Sequence, residues 1–339
     1  MSHKEHIAVI GAGLMGHGIA QIFLAAGYRV SLHDPNAEVL QAAPAKIKDI
    51  CGLLELDTGL LDNLSLHQQL ADAVKQADLV IEAGPEKLEV KQKIFAELVR
   101  VTKPSAVLAT NTSAIPIQNI TAELDELGRQ RVIGTHFWNP PYLVRLVEVV
   151  RSEYSGTQQL DYAMELLSKV EMHPVLVKRD IPGLIGNRLQ HAIKREAIAL
   201  VAEGVCDAET IDDVVKHGFG SRLAVLGPLE QSDLVGLNLT LDIFTTLFPT
   251  LDNTSEPPQL LVDKVARGEL GMKSGKGFRN WTPESAEKVR RGLQEYLLAQ
   301  AKSKPTSEKN SSLRSVSLPS EFDVSFFLVS IMLASVNLH

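Results

Sequence analysis

The chain has only two cysteines, Cys51 and Cys206, among its 339 residues. They make neither a disulfide framework nor a metal-ligand spacing, which suits a reducing compartment and offers no metal site. An excess of positive charge is missing too. The formal net charge of −7 argues against nucleic acid or an anionic membrane as the main partner. A bilayer span needs about 20 apolar residues, and the C-terminal run Phe326-Phe327-Leu328-Val329-Ser330-Ile331-Met332-Leu333 is far shorter. Met1-Ser2-His3-Lys4-Glu5 leads straight into an apolar strand pattern, leaving no room for a signal peptide, so a cytoplasmic location is expected. Hydrophobic content of 45% and charged content of 22% are ordinary globular values. A chain of this length can hold two cores.

What is present begins at residue 6. His6-Ile7-Ala8-Val9-Ile10 is a short buried-strand pattern running into Gly11-Ala12-Gly13-Leu14-Met15-Gly16. Helical spacing follows through Ile19-Ala20-Gln21-Ile22-Phe23-Leu24, and a second apolar run, Tyr28 to His33, ends in Asp34. This is the order of a dinucleotide-binding βαβ unit. Gly11 permits the tight turn, Gly13 lets backbone approach a pyrophosphate, and Gly16 lets the helix pack on the strand. The helix N-terminus offers free N–H groups and partial positive charge to the phosphates. Asp34 can accept both ribose hydroxyls of NAD and would repel the extra phosphate of NADP; it can also cap a helix before Pro35.

Strand and helix patterns then alternate. Leu79–Glu82, Ala106–Ala109, Arg131–Thr135, Leu146–Val150 and Pro174–Val177 are strand runs, with helical spacing over Leu88–Val101 and about Thr157–Val170. The expectation is a doubly wound α/β domain over residues 1–181. Beyond Asp180-Ile181-Pro182-Gly183 helices dominate, at about 184–203, 207–217, 229–247, 257–268 and 284–302. Residues 182–302 are therefore expected to form an all-α domain whose apolar helices make a homodimer. Residues 303–339 open with a Ser, Lys, Thr and Asn-rich stretch that reads as a disordered or adventitious tail.

Two oddities in the α/β half explain one another. Thr135-His136-Phe137-Trp138-Asn139-Pro140-Pro141 lies at a strand's C-terminal end, where open α/β sheets bind ligands. Glu148 interrupts the apolar run Leu146-Val147-Glu148-Val149-Val150, where an unpaired charge is costly. His136 can be a general base whose tautomer Glu148 fixes and whose imidazolium Glu148 stabilises. Thr110-Asn111-Thr112-Ser113 brings small hydroxyl and amide groups to the same edge. Asn187, in the apolar start of the next helix, can reach over the cleft or be an interfacial amide.

These segments, with Gly183–Arg188 and Gly271-Met272-Lys273-Ser274-Gly275-Lys276-Gly277-Phe278, stand in the order of the L-3-hydroxyacyl-CoA dehydrogenase family, which the chain resembles over about residues 5–280. The resemblance implies a catalytic His136–Glu148 pair supported by Ser113 and Asn187. It also implies cofactor contacts at Asp34, Glu86, Lys91, Ser113, Asn139 and Lys273, with NAD as cofactor. The expected activity is NAD-dependent oxidation of the 3-hydroxyl of a hydroxyacyl substrate.

The pattern also departs from that family. Its CoA-ester members carry a long lysine-rich helical hairpin after the second strand; here the stretch from Asp34 to Ala77 is shorter, with Lys46 and Lys48 its main basic residues. Its Gly-x-Pro-x-Gly-Pro segment reads Gly220-Ser221-Arg222-Leu223-Ala224-Val225-Leu226-Gly227-Pro228. Both departures resemble relatives that oxidise small free hydroxy acids such as L-gulonate or pyridine carboxylates. Arg145 or Arg222 could then pair with a substrate carboxylate, or serve as a surface ion pair.

Overall fold

In the computed structural model, which describes residues 5–302, the apolar runs of the first half form one eight-stranded sheet. Its strands are β1 His6–Ile10, β2 Arg29–His33, β3 Leu64–His67, β4 Leu79–Glu82, β5 Val107–Thr110, β6 Val132–Phe137, β7 Leu146–Val150 and β8 His173–Val177. They lie in the order β3-β2-β1-β4-β5-β6-β7-β8, parallel except where β7 runs antiparallel to β6. The sheet is flanked by α1 Leu14–Ala25, α2 Ala37–Leu54, α3 Leu70–Val74, α4 Leu88–Val101, α5 Ile117–Ile120, α6 Glu126–Gln130 and α7 Thr157–Lys169. This is the doubly wound, Rossmann-type α/β arrangement expected from the alternation.

Both sheet faces are buried, which is why the central strands read as unbroken apolar runs rather than alternating ones. Ile7, Val9, Leu79 and Ile81 pack on one side with Ile19, Phe23, Leu40, Ile47, Leu160 and Leu166 from α1, α2 and α7. Ala8, Ile10, Val80 and Leu108 pack on the other with Val74, Phe95, Leu98 and Ile120 from α3, α4 and α5. Each fully buried side chain of this size contributes about 1.5–3 kcal/mol. That core fixes the carboxyl ends of β1, β4, β5 and β6 along one edge.

The second half is helical: α8 Gly186–Ala202, α9 Ala208–His217, α10 Pro228–Val235, α11 Leu237–Leu247, α12 Gln259–Ala266 and α13 Pro283–Lys302. The single helix expected over 229–247 is two helices. Gly236 breaks it, with φ +96°, a left-handed conformation that ends α10. The chain divides into two units, one holding residues through Arg188 with Gln294–Lys302, the other Leu189–Leu293. Among the described residues of the second unit, Ala286 is the one buried hydrophobic side chain, whereas Val225 and Leu229 are 89% and 79% exposed. The tail expectations fall on 303–339, outside the described residues.

Candidate active site

The glycine loop joins β1 to α1 at the point where strand order reverses between β2 and β4. Gly11 has φ +98°, and a Cβ there would lie 2.6 Å from the Ala83 carbonyl oxygen. Gly16 is tighter still, since its Cβ would fall 1.7 Å from the Gly11 oxygen, whereas Val9 of β1 is 3.6 Å away. Gly16 thus closes the turn on itself more than it seats helix on strand. Around Gly13 nothing lies within 4 Å of an added Cβ. That open cradle, at the N-cap of an α1 with no acid in its first turn, fits a dinucleotide pyrophosphate. Leu14 is exposed and Met15 half-buried beside it.

Asp34 sits just beyond β2. One carboxylate oxygen accepts the Ala12 N–H and the other the Asn36 N–H, both at 2.9 Å. The helix cap is Asn36, not Asp34: its side chain accepts from Glu38 and Val39 at the start of α2. Asp34 is therefore held to the glycine loop with lone pairs left for a ribose.

Register brings the acid–base pair together. His136 and Glu148 are opposite partners across β6 and β7, and His136 Nδ1 lies 2.9 Å from Glu148 Oε2. Glu148 Oε1 accepts the Ile185 N–H at 2.9 Å and the Gly186 N–H at 3.1 Å, at the start of α8. Burial pushes the Glu148 carboxyl up, but hydrogen bonds from His136, Gly186 and Ile185 outweigh this and hold it below the ordinary glutamate range. An ionised Glu148 only accepts, so His136 Nδ1 donates to it, and in the neutral imidazole Nε2 is the acceptor nitrogen. Nε2 faces the Ser113 hydroxyl at 3.1 Å.

The loop bearing Ser113 is itself tied down. Glu86 Oε1 accepts the Thr112 hydroxyl at 2.6 Å and the N–H groups of Ser113 and Ala114 at 3.0 Å. Burial raises the Glu86 carboxyl, and Thr112, the Lys91 charge and Ala114 bring it down to a net lowering. Asn111 accepts the Phe137 N–H at 2.8 Å, joining this loop to the His136 strand. Asp180 accepts the Ile117 N–H at 2.5 Å, which anchors the segment leading to Ile185 and Gly186. The Trp138 indole tilts against His136 with centroids 5.8 Å apart, and a Cβ on Gly186 would meet it at 2.3 Å.

Other expected residues are less engaged. Among the described residues Asn187 makes no side-chain hydrogen bond and is half-buried, while Asn139 is exposed. Lys273 is exposed and belongs to the second unit. Arg145 donates to the Ala301 carbonyl at 2.7 Å, and Arg222 is exposed. Lys91 is 1% exposed, with its ammonium directed at Glu82 and Glu86.

The family description "3-hydroxyacyl-CoA dehydrogenase, NAD binding domain" matches residues 6–181, and the corresponding C-terminal domain matches 183–281. The chain belongs to the 3-hydroxyacyl-CoA dehydrogenase family. It is an NAD-dependent dehydrogenase of that family. It is 31% identical over 295 residues, 84% of this chain and 93% of the relative, to the 5-formyl-3-hydroxy-2-methylpyridine 4-carboxylate 5-dehydrogenase of Mesorhizobium japonicum. With a probable 3-hydroxybutyryl-CoA dehydrogenase of Bacillus subtilis it shares 37% identity over 294 residues, 83% of this chain and 99% of the relative. A solved structure of a 5-formyl-3-hydroxy-2-methylpyridine 4-carboxylic acid 5-dehydrogenase superposes with TM-score 0.80 at 30% identity, covering 87% of this chain and 97% of that one.

Within this family site the sequence reading passed over Glu82, although its acid ends an otherwise apolar strand just as Glu148 interrupts one. It also missed the grip of Ile185 and Gly186 on Glu148, because main-chain donors carry no residue signature.

Proposed function

We propose that this dehydrogenase oxidises the 3-hydroxyl of a hydroxyacyl substrate to a ketone, with His136 as general base. The observation that carries this reading is the Ser113–His136–Glu148 chain, in which Nδ1 is committed to Glu148 and Nε2 remains able to take a proton. NAD, when bound, supplies the hydride acceptor. Nε2 takes the hydroxyl proton, and Glu148 balances the positive charge that appears on the imidazole. Ser113 and Asn187 hydrogen-bond the substrate oxygen as it becomes a carbonyl, a fixed-dipole contribution. In the reducing direction protonated His136 is the acid. Gly11, Gly13, Leu14, Met15 and Gly16 form the phosphate cradle in this reading and Asp34 takes the ribose. Glu86, Lys91 and Asn139 complete the cofactor side.

A second reading is that the substrate is a small free hydroxy acid or aromatic carboxylate rather than a CoA ester. It is favoured by the stretch after β2, where α2 is followed by a short 3-10 turn and β3 instead of a returning helix. Lys46 and Lys48 are its main basic side chains, both exposed. The likeness to the pyridine-carboxylate enzyme points the same way. NADH formation measured with 3-hydroxyacyl-CoA esters, L-gulonate and hydroxymethylpyridine carboxylates separates the two. Turnover of the esters alone supports the first reading, turnover of the free acids alone the second, and turnover of none overturns both.

Two further elements belong to this proposal. A homodimer formed through the C-terminal helices is supported by the lack of burial in the second unit, since apolar helix faces need a covering surface. A cytoplasmic location is supported by the free thiols of Cys51 and Cys206.

A further inference from the structure

We propose that Leu184 is a positioning residue for the acid–base pair: its left-handed backbone aims the Ile185 and Gly186 N–H groups at Glu148, which leaves that acid one oxygen for His136. The inference rests on the reading of His136 and Glu148 given above.

Three non-glycine residues among those described have a left-handed backbone: Glu55 with φ +58°, Glu171 with φ +60° and Leu184 with φ +50°. Glu55 caps the C-terminus of α2 and Glu171 follows the last turn of α7, where such a residue is ordinary. Leu184 closes no helix. It lies between β8 and α8 and is 5% exposed, so neither a helix end nor solvent accounts for its strain.

Its surroundings do. Ile181-Pro182-Gly183-Leu184 is a tight turn, with proline second, Gly183 third at φ +77°, and the Leu184 N–H donating to the Ile181 carbonyl at 3.1 Å. Just before the turn, Asp180 accepts the Ile117 N–H at 2.5 Å. The Leu184 side chain joins the buried cluster that holds Ile117, Val150 and Val177. A glycine would take this backbone without strain, but it has no side chain to seat the turn in that cluster. Pinned at both ends, the turn has one exit direction. Beyond it the next two N–H groups converge on Glu148 Oε1, from Ile185 at 2.9 Å and from Gly186 at 3.1 Å. Successive N–H groups aimed at one point make a backbone anion site. Here the anion is the protein's own carboxylate. With Oε1 taken, Oε2 faces His136 Nδ1 at 2.9 Å. Gly183 and Leu184 also line one small cavity with Ser113 and His136, so the turn borders the site it orders.

The test compares two replacements that separate backbone from packing. Leu184→Ile keeps the apolar volume, but a β-branched residue resists a left-handed backbone. Leu184→Asn accepts that backbone and buries an amide among apolar side chains. L184I is expected to lose about tenfold in kcat, the scale of one hydrogen bond to a charged group, with NADH affinity unchanged. L184N is expected to melt at a lower temperature than L184I and yet keep the higher kcat. A filler role alone would rank the two variants alike in melting temperature and kcat, and that result would overturn the proposal. Because the loss runs through the Glu148 charge, L184I made in a Glu148→Gln background is expected to lower kcat by less than about twofold more. Fully multiplying losses would overturn the route through Glu148 while leaving the acid's role intact. Wild-type kcat for E148Q alone would overturn the acid–base reading itself. Should L184I fold poorly, Asp180→Ala against Asp180→Asn tests the same turn from its other end, since the Asn amide oxygen still accepts from Ile117. Asn is expected to restore most of the kcat that Ala loses, and equal loss in both would overturn the pinned turn.

Discussion

His136 and Glu148 are register partners across the antiparallel pair β6 and β7, and their side chains meet at 2.9 Å between Nδ1 and Oε2. Because Glu148 also accepts two N–H groups from the start of α8, its charge is compensated on both sides. One carboxylate thus fixes the imidazole tautomer and fastens β7 to the segment beyond Gly183.

Replacing Glu148 with Gln tests the electrostatic half of that arrangement. The variant is expected to lose about 10- to 100-fold in kcat, corresponding to one charge-assisted hydrogen bond to the imidazolium. The folded-state carboxyl lies below its ordinary value, so its contribution to stability is fully present above the unfolded value of about pH 4.3. It is lost as pH falls through the lowered folded value. Chemical denaturation of wild type and E148Q across pH 3 to 7 should therefore show a stability gap that is flat above about pH 5 and closes in acid. A gap independent of pH would refute the ionised assignment.

Gly13 and Gly16 should separate folding from binding. Gly16→Ala forces a Cβ to within 1.7 Å of the Gly11 oxygen, so it should lower both melting temperature and NADH affinity. Gly13→Ala has open space and an ordinary φ of −66°, so the melting temperature should hold while NADH affinity falls. Equal NADH affinity for G13A and wild type would count against the cradle.

Asp34 supplies a third check. Asp34→Ala removes the acceptor held against Ala12 and should weaken NAD binding about tenfold, with a smaller effect on NADP. The ratio of kcat/KM for the two cofactors should therefore fall. An unchanged ratio would remove Asp34 from ribose recognition.

The second unit predicts assembly. Sedimentation equilibrium should give twice the 37.0 kDa chain mass, and charging the exposed Leu229 or Leu241 should shift the protein toward the single-chain mass. A single-chain mass for the wild type at all concentrations would contradict the dimer.

Much of this was legible in the sequence because the informative residues stand out against an apolar background. The glycine loop and Asp34 follow spacing rules, and His136 with Glu148 showed as a polar pair in buried strands. Glu82 carried the same signal, but an acid closing a strand is also an ordinary boundary, and its partner Lys91 looks like any first-turn helix lysine. Asn36 took the cap from Asp34 because Asp34 is held by Ala12. Gly236 interrupts a run whose apolar spacing continues on both sides, so periodicity alone could not reveal the break.

The most direct test is the single variant His136→Gln, assayed with whichever substrate class the comparative screen identifies. Steady-state kinetics and NADH titration should show kcat reduced about 10²- to 10⁴-fold, the scale of a lost general base, with NADH affinity unchanged. Turnover equal to wild type would contradict the assignment of His136 as the base.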